Sequence, residues 1–337
     1  MAVKTTGASH VGVLAMAYGT ASGPEDVERY YTDIRGGHPP TPEHLRGLKE
    51  RYAAIGNRFP LLEITREQAG GLERELNEGE AGEFRVFLGM KHSPPFIADG
   101  VARMREDGVQ RAVGLVLAPH WSGMSVETYV DRVEKALADG GGGPAFSYVR
   151  QWYDQPLFLR FLASRVSAAL DRIPEDRRTR AAVIFSAHSL PVRPAHDGSL
   201  RCKTCFLCSD ACRYAAQLRN TADRVAGLVG LGPSAYRVGW QSAGRTADPW
   251  WGPSVVDVIH ELAEAGYQAV VCCSAGFVSD HLEVLYDLDV EARKAAERAG
   301  LAFVRTEMPN ADPRFVAALA AVVREHLEAD LARAGSH

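Results

Sequence analysis

The stretch "AAVIFSAHSLP", residues 181–191, joins an apolar run to the polar residue that ends it. Small and apolar residues fill most of the run, His188 stands at its end, and Pro191 stops the chain from running on. A near-continuous apolar run of this length is typical of a parallel strand covered on both faces of its sheet. The sequence therefore predicts a buried strand here, with His188 at its carboxyl end.

The same pattern recurs along the chain, and helical periodicity falls between most of the runs. The predicted strands are residues 10–17, 84–90, 112–119, 145–152, 181–188, 235–241, 269–275 and 302–307. Buried strands that alternate with helices predict an α/β protein with parallel sheets flanked by helices. We expect two such domains, residues 8–155 and 156–311, with a ligand cleft between them. A final helix, residues 312–333, is expected to pack on the first domain.

Composition excludes several classes of protein. The chain has 337 residues, 46% of them apolar and 24% charged, and a formal net charge of −4. Its basic residues are dispersed, which argues against a nucleic-acid partner. No apolar run approaches the roughly 18 residues that span a bilayer, and the N-terminus lacks the core of a signal peptide. We expect a cytoplasmic protein with at most peripheral membrane contact.

Residues that directly follow the strands are the first candidates for a site, because ligands of open α/β sheets bind beyond the carboxyl ends of the strands. Those residues are Tyr18, His92, His120, His188, Gln241 and Gly276. At such a position a neutral imidazole can accept a proton or bind a metal, although a capping or core histidine is the alternative. Gly19 is expected to let a ligand approach the backbone.

An acidic segment, "GFVSDHLEVLYDLDVEA" at 276–292, adds context to His188. Ser279 is predicted to cap the helix that follows. Glu283, Asp287 and Glu291 then recur at every fourth position, which places them on one face of a helix. Carboxylate oxygens in a row suit a holding site for a divalent cation. The alternative is a solvated acidic face.

A second candidate metal site is "CKTCFLCSDAC", residues 202–212, which holds four of the six cysteines. The four are Cys202, Cys205, Cys208 and Cys212. Their spacing is typical of an iron–sulfur site, although Arg213 stands where such a run has proline. Structural zinc and free thiols are the alternatives. Cys272 and Cys273 lie inside a predicted buried strand and are expected to be core residues.

Seven motifs occur in an order and spacing that resemble the ferrochelatase family, and most of all its soluble branch, typified by Gram-positive coproporphyrin ferrochelatases. They are "MAYGT", "DVERYYTDIRGG", "LKERYAAIG", "PLLEITREQ", "SAHSLP", "GWQSAGRTADPWWGP" and "GFVSDHLEVLYDLD". The resemblance covers about residues 10–330. It implies two Rossmann-like domains of the chelatase type around a porphyrin cleft, and insertion of Fe²⁺ in haem biosynthesis. It also implies a 2Fe–2S cluster at the four cysteines, as some members carry, and a haem acceptor protein as a possible partner.

The resemblance also assigns residues to the site. It implies that His188 and Glu283 are catalytic and that these two residues, with Asp287 and Glu291, contact the metal. The residues that it assigns to the porphyrin are Tyr18, Thr20, Arg35, Arg51, Tyr52 and Tyr129. Lys91 and His92 match a Lys-His pair at the cleft. Phe59 is a departure, because the soluble branch often has a serine there near a propionate.

Coproporphyrin III is the favoured substrate, and protoporphyrin IX is the alternative. The segment 35–52 is polar and cationic, which suits a substrate with four propionates better than one with two. A cobalt or nickel chelatase for another tetrapyrrole is a second reading of the chain. A haem carrier or an iron–sulfur redox sensor without catalytic activity is a third.

Overall fold

The computed structural model describes residues 10–79, 83–194, 198, 200–203, 212–244 and 246–334. Within these residues the chain forms two parallel sheets of four strands each and one short antiparallel hairpin. No helix in these ranges is long and apolar enough to cross a membrane.

The first sheet has the strand order β2-β1-β3-β4, and the second has the order β10-β9-β5-β8. The strands are β1 Val11–Ala17, β2 Phe84–Met90, β3 Arg111–Val116, β4 Ala145–Val149, β5 Ala181–His188, β6 Val192–Pro194, β7 Leu200–Cys202, β8 Tyr236–Gln241, β9 Ala269–Cys273 and β10 Ala302–Arg305. Strands β6 and β7 form the hairpin.

Helices cover both sheets. They are α1 Val27–Ile34, α2 Pro42–Ala54, α3 Leu61–Leu76, α4 Ile97–Glu106, α5 Val126–Asp139, α6 Pro156–Asp171, α7 Glu175–Arg178, α8 Arg213–Val229, α9 Val255–Glu264, α10 Leu282–Tyr286, α11 Arg293–Arg298 and α12 Pro313–Ala334. A 3₁₀ turn at Pro233–Ala235 and a π-helix at Asp287–Ala292 complete the regular structure of the described residues.

The predicted fold class is confirmed, and every predicted long strand lies in one of the two sheets. A local sequence signal accounts for the start of α2. The hydroxyl of Thr41 accepts a hydrogen bond from the backbone N–H of His44 at 3.3 Å, and Pro42 occupies the first position of α2. A proline at this position has no N–H to leave unpaired. The domain boundaries at 8–155 and 156–311 stay predictions.

One apolar core runs from the first sheet through α6 to the second sheet. Its centre is aromatic, with the Trp152 ring 4.9 Å from Phe158 and 6.1 Å from Phe315. Phe315 belongs to α12, which packs on α3, α6 and β4. Burying a large apolar side chain contributes roughly 1.5–3 kcal/mol. The last helix therefore closes the core that both sheets share.

Strand β5 lies between β8 and β9, so its carboxyl end is surrounded by loops of the second sheet. His188 and Gln241 are register partners at the ends of β5 and β8. The Gln241 side-chain oxygen accepts hydrogen bonds from Ser186 at 2.7 Å and from Ser274 at 3.2 Å. This buried polar layer fixes the ends of three strands next to His188.

Candidate active site

His188 is held at the end of β5 by both its ring and its backbone. Its Nδ1 donates a hydrogen bond to the carbonyl oxygen of Ser189, and its own carbonyl oxygen accepts one from the Tyr214 hydroxyl at 2.9 Å. The other ring nitrogen, Nε2, lies 3.7 Å from Oε1 of Glu283. The structure therefore brings together the two residues that were predicted to be catalytic.

His281 completes this group, and the sequence analysis did not identify it. Its Nδ1 lies 2.9 Å from the carbonyl oxygen of Ser279, and its Nε2 lies 3.4 Å from Oε2 of Glu283. A carbonyl oxygen only accepts hydrogen bonds, so Nδ1 carries the proton in His281 and in His188. When the rings are neutral, both Nε2 lone pairs therefore face one carboxylate. The sequence did contain a signal for His281, because it stands two residues before Glu283, the first residue of the predicted acidic face.

The charges of this group are coupled. Burial on its own would lower the pKa of His188, but the negative charge of Glu283 and a hydrogen bond to it raise that pKa to about 9. Burial would likewise raise the pKa of Glu283, but the charge of His188 holds it well below its usual range. At neutral pH the pair is therefore an imidazolium next to a carboxylate.

The acidic segment changes from an α-helix to a π-helix after its first turn. The helix α10 is followed directly by the π-helix, whose i→i+5 hydrogen bonds give a wider turn than the predicted α-helix. Asp287 is buried and accepts a hydrogen bond from the Ser242 hydroxyl, whereas Glu291 is exposed. Burial raises the pKa of Asp287 to about 6, with the charge of Glu283 acting in the same direction.

Gln68 on α3 fastens the loop that leads to His281, and the sequence analysis missed this residue. Its side-chain Nε2 lies 3.1 Å from the carbonyl oxygen of Val278, 3.0 Å from the hydroxyl of Ser279 and 2.9 Å from the carbonyl oxygen of Asn310. The prediction that Ser279 caps the helix is wrong, because His281 is the N-cap residue of α10. Ser279 is instead buried against Gln68.

Tyr18 and the predicted Lys-His pair lie at the ends of β1 and β2. The Tyr18 side chain is 41% exposed, and its ring lies 4.6 Å from the His92 ring and 5.7 Å from Nζ of Lys91. The Nδ1 of His92 lies 2.6 Å from Oδ1 of Asp33. Burial lowers the pKa of His92 to about 4 and that of Lys91 to about 8. His92 is therefore neutral at physiological pH.

Gly19 has a role in the local fold that the sequence analysis did not predict. Its φ is +104°, and a Cβ built on it would lie 2.7 Å from the hydroxyl oxygen of Ser93. Its carbonyl oxygen also accepts a hydrogen bond from the Tyr30 hydroxyl at 3.0 Å. The glycine is needed because the chain turns tightly against Ser93, and the expectation that it lets a ligand approach the backbone stays a prediction.

Several residues assigned to the porphyrin meet at the junction of α1, α2 and α10. Tyr52 is buried, its hydroxyl lies 3.5 Å from the Thr20 hydroxyl, and its ring stacks on Phe59 at 4.4 Å. The Arg51 guanidinium lies 5.0 Å from the ring centroid of Tyr286. Phe59 thus supplies an apolar wall behind Tyr52, and Arg51 links the first half of the chain to α10.

Tyr129 and Arg35 lie apart from that junction. Tyr129 is buried on α5, with Nζ of Lys91 5.1 Å from its ring centroid. Lys91 therefore lies between the rings of Tyr129 and Tyr18. Arg35 is exposed, directly follows α1 and donates to the carbonyl oxygen of His38 at 3.3 Å.

Two of the clustered cysteines lie within the described residues. Cys202 ends β7, Cys212 is the N-cap residue of α8, and their buried sulfur atoms are 3.1 Å apart. The contact with Cys202 lowers the pKa of Cys212 to about 6. Converging sulfur atoms of this kind fit the donor set of an iron–sulfur or zinc site. Cys205 and Cys208 lie outside the described residues.

The described residues do not show the predicted iron–sulfur cluster. In the part of the chain that the structure describes, no group of three or more His, Cys, Asp or Glu side chains is arranged to hold a metal ion. Cys272 and Cys273 are fully buried in β9, as predicted for core residues. Burial raises the pKa of both thiols.

Comparison with known sequences gives consistent matches over nearly the whole chain. A sequence model of the ferrochelatase family matches residues 10–327. The coproporphyrin III ferrochelatase of Geobacillus kaustophilus is 48% identical over 314 residues, which are 93% of this chain and 94% of that protein. The coproporphyrin III ferrochelatase of Bacillus subtilis is 46% identical over 319 residues, 94% of this chain and 98% of that protein.

Among solved structures, a similar one is the sirohydrochlorin chelatase from Bacillus subtilis subspecies spizizenii in complex with cobalt. It superposes with a TM-score of 0.53 at 10% sequence identity, over 95% of this chain and 96% of that one. At this identity the likeness concerns the fold alone, and it shows that two parallel α/β sheets in this arrangement form a chelatase fold.

Proposed function

The chain belongs to the ferrochelatase family of metal-inserting lyases, and we propose that it inserts Fe²⁺ into coproporphyrin III in haem biosynthesis. The observation that carries the proposal is the group formed by His188, His281 and Glu283, in which two imidazole Nε2 atoms face one carboxylate. Such a group can accept protons, and it offers a passing divalent cation oxygen and imidazole donors without forming a closed three-residue metal site.

Insertion of one Fe²⁺ replaces two pyrrole N–H protons of the porphyrin, so the site must remove two protons. Glu283 is ionised in the resting state, and its pKa returns toward the usual range once His188 has released its own proton, so that Glu283 can then accept a proton from the ring. His188 rests as an imidazolium, because its pKa is raised, and can accept the second proton after releasing its own to solvent. The pair therefore acts as a relay that carries protons away from the ring.

Iron has to be held weakly enough to leave for the porphyrin. Oxygen and imidazole donors bind Fe²⁺ less tightly than a cage of thiolates. We assign Glu291, which is exposed, to the entry of the metal and Asp287, which is buried, to the next position along the segment. Glu283 and His188 then hold the metal at the point of insertion.

Binding of the ring supplies the energy for its distortion, because contacts away from the reacting atoms can offset strain at the centre. We assign Tyr18 to one face of the macrocycle. The residues assigned to the rest of the porphyrin are Thr20, Arg35, Arg51, Tyr52 and Tyr129. We assign the segment 35–52 to the mouth of the cleft, and its exposed residues Arg35, His38, Arg46 and Lys49 support a substrate with four propionates.

We further propose that Cys202, Cys205, Cys208 and Cys212 hold a 2Fe–2S cluster. The supporting observation is the pair of buried sulfur atoms 3.1 Å apart at Cys202 and Cys212. These cysteines would hold such a cluster between the β6–β7 hairpin and the start of α8, and the cluster would supply one-electron chemistry. We assign these cysteines no part in insertion, because thiolates would hold the substrate iron too tightly.

Three further assignments rest on the sequence and form part of the proposal. They are the domain boundaries at 8–155 and 156–311, a cytoplasmic location, and a haem acceptor protein that receives the product.

The substrate is tested by anaerobic measurement of kcat/KM for coproporphyrin III and protoporphyrin IX under identical detergent and salt. We expect the higher value for coproporphyrin III. An equal or higher value for protoporphyrin IX would overturn this assignment and would point to Phe59 as the residue that reshaped the pocket.

The assignment of the base is tested with His188→Ala. We expect turnover to fall by about 10²–10⁴-fold, while fluorescence titration shows nearly unchanged porphyrin binding. The matched control is His260→Ala, since His260 is an exposed histidine on α9 of the same domain. If His188→Ala keeps more than about a tenth of the turnover, the assignment is wrong.

A further inference from the structure

Tyr214 connects α8 to His188. It lies in the first turn of α8, and its hydroxyl donates to the carbonyl oxygen of His188 at 2.9 Å. Its ring is buried between Trp240, at 5.6 Å, and His120, at 6.3 Å. Burial also raises the pKa of the phenol, so the hydroxyl keeps its proton and remains a donor. The contact is therefore a fixed hydrogen bond between two rigid elements.

The peptide group between His188 and Ser189 is held from both sides. The Tyr214 hydroxyl donates to the carbonyl oxygen of His188, and the backbone N–H of Ser189 donates to the carbonyl oxygen of Gln241 at 2.6 Å. The next carbonyl, that of Ser189, accepts the hydrogen bond from Nδ1 of His188. The His188–Ser189 peptide and the Ser189 carbonyl that follows it together set the orientation of the imidazole. A displacement of Tyr214 would move Nε2 of His188 relative to Glu283.

The cysteine pair contacts both segments that border His188. Cys212 directly precedes α8 and lies two residues before Tyr214. Cys202 is the register partner of Val192, and β6 begins four residues after His188. With their sulfur atoms in contact, the two cysteines join the hairpin to the start of the helix. A change in what these sulfur atoms bind would therefore displace the first turn of α8, which contains Tyr214.

We propose that Tyr214 is a positioning residue for His188 and that it couples the state of Cys202 and Cys212 to the orientation of the imidazole. The proposal rests on the proposed function, because it takes His188 as the base of metal insertion. Tyr214 itself contacts no reacting atom and acts through the backbone of His188. Among the described residues, Glu283 is in contact with the His188 ring at 3.7 Å, and the charge of Asp287 also acts on it.

The positioning role is tested with Tyr214→Phe, which removes one hydroxyl and no charge. We expect kcat to fall about ten-fold or more, because small displacements of a catalytic group are costly. The KM for porphyrin and for Fe²⁺ should stay within about two-fold, since Tyr214 is buried and is not among the residues assigned to either substrate. The control is Tyr236→Phe, whose lost hydrogen bond joins β8 to Asp223 on α8 away from the site. Equal kcat in both variants would overturn the proposal.

The coupling is tested with Cys212→Ser, which removes the thiol and keeps a good N-cap residue for α8. The readout is the ring resonance of His188 in ¹³C-histidine-labelled protein at fixed pH, assigned by its loss in His188→Ala. We expect Cys212→Ser to move this resonance in the wild-type background and not in the Tyr214→Phe background. A kinetic double-mutant cycle for the same pair should show the same dependence.

Each outcome of this test has one meaning. No movement of the His188 resonance, or the same movement in both backgrounds, would overturn the coupling. If Tyr214→Phe does not fold, as judged by circular dichroism, Cys212→Ser decides alone, and an unchanged resonance with unchanged kcat overturns the proposal. Failure of the wild-type protein to metallate coproporphyrin III would refute the proposed function instead, and the resonance would still report on the coupling.

Discussion

Replacing Asp287 by asparagine is expected to stabilise the metal-free protein at neutral pH. The side chain of Asp287 is 8% exposed, and burial raises its pKa from 3.8 to about 6. A carboxyl whose pKa is higher in the folded state favours folding only in its protonated form. Its contribution is complete below pH 3.8 and is lost as the pH rises through about 6. Above that pH the buried carboxylate lowers the stability of the fold.

The expected magnitude follows from the two pKa values. Each pKa unit corresponds to about 1.4 kcal/mol, so ionised Asp287 lowers the free energy of unfolding by about 3 kcal/mol. Asparagine does not titrate, and its side-chain oxygen can still accept the hydrogen bond from Ser242. Asp287→Asn is therefore expected to be more stable than wild type by about 3 kcal/mol at about pH 7.5, and by about half of that at about pH 5.

The assay is urea denaturation of chelator-treated protein at both pH values, followed by circular dichroism. The matched control is Glu291→Gln, which removes an exposed carboxylate from the same segment and should change the stability by less than about 0.5 kcal/mol. A gain that is absent at about pH 7.5, or that is the same at both pH values, would refute the reasoning. In turnover assays Asp287→Asn should raise the KM for Fe²⁺ and leave that for porphyrin unchanged.

Three further predictions test other parts of the site. Gln68→Glu places an acceptor against two backbone carbonyl oxygens and should lower the free energy of unfolding by about 2–4 kcal/mol in urea titrations, whereas the exposed control Gln110→Glu should be near neutral. His281→Ala should lower kcat at least about ten-fold with porphyrin binding retained, because it removes the second imidazole that faces Glu283, and full turnover would exclude a role for His281 in catalysis. Protein purified without oxygen should be coloured and contain iron and sulfide, and Cys205→Ser should bleach it; colourless protein with zinc and no sulfide would contradict the cluster.

The sheets could be predicted because their signal is local. Strand β5 was predicted at 181–188 and is found at Ala181–His188, since an apolar run buried on both faces leaves a pattern in its own residues. The start of α2 was equally readable, because Thr41 caps the helix through its own side chain. His188 and Glu283 were candidates because of their positions after a strand and on an acidic face, and the resemblance to ferrochelatases gave them their catalytic roles.

The parts that could not be predicted depend on contacts between distant segments. The start of α10 is set by the loop that Gln68 holds from α3, and Gln68 lies more than 200 positions away in the chain. The π-helix accommodates buried Asp287 against Ser242, which comes from another loop. Tyr214 contacts a carbonyl 26 positions earlier, and nothing in its neighbouring residues indicates this. Sequence periodicity describes one element at a time and misses such contacts.

The chain separates two kinds of metal donor, and the separation follows from what each kind does to iron. Imidazole and carboxylate donors release Fe²⁺ readily, so His188 and Glu283 suit a substrate metal that has to move on. Thiolates hold iron firmly, so Cys202 and Cys212 suit a metal that stays. Direct contact between the two sets would let the thiolates capture the substrate iron. A link through one neutral tyrosine avoids this exchange, because Tyr214 transmits displacement of the backbone and binds no metal.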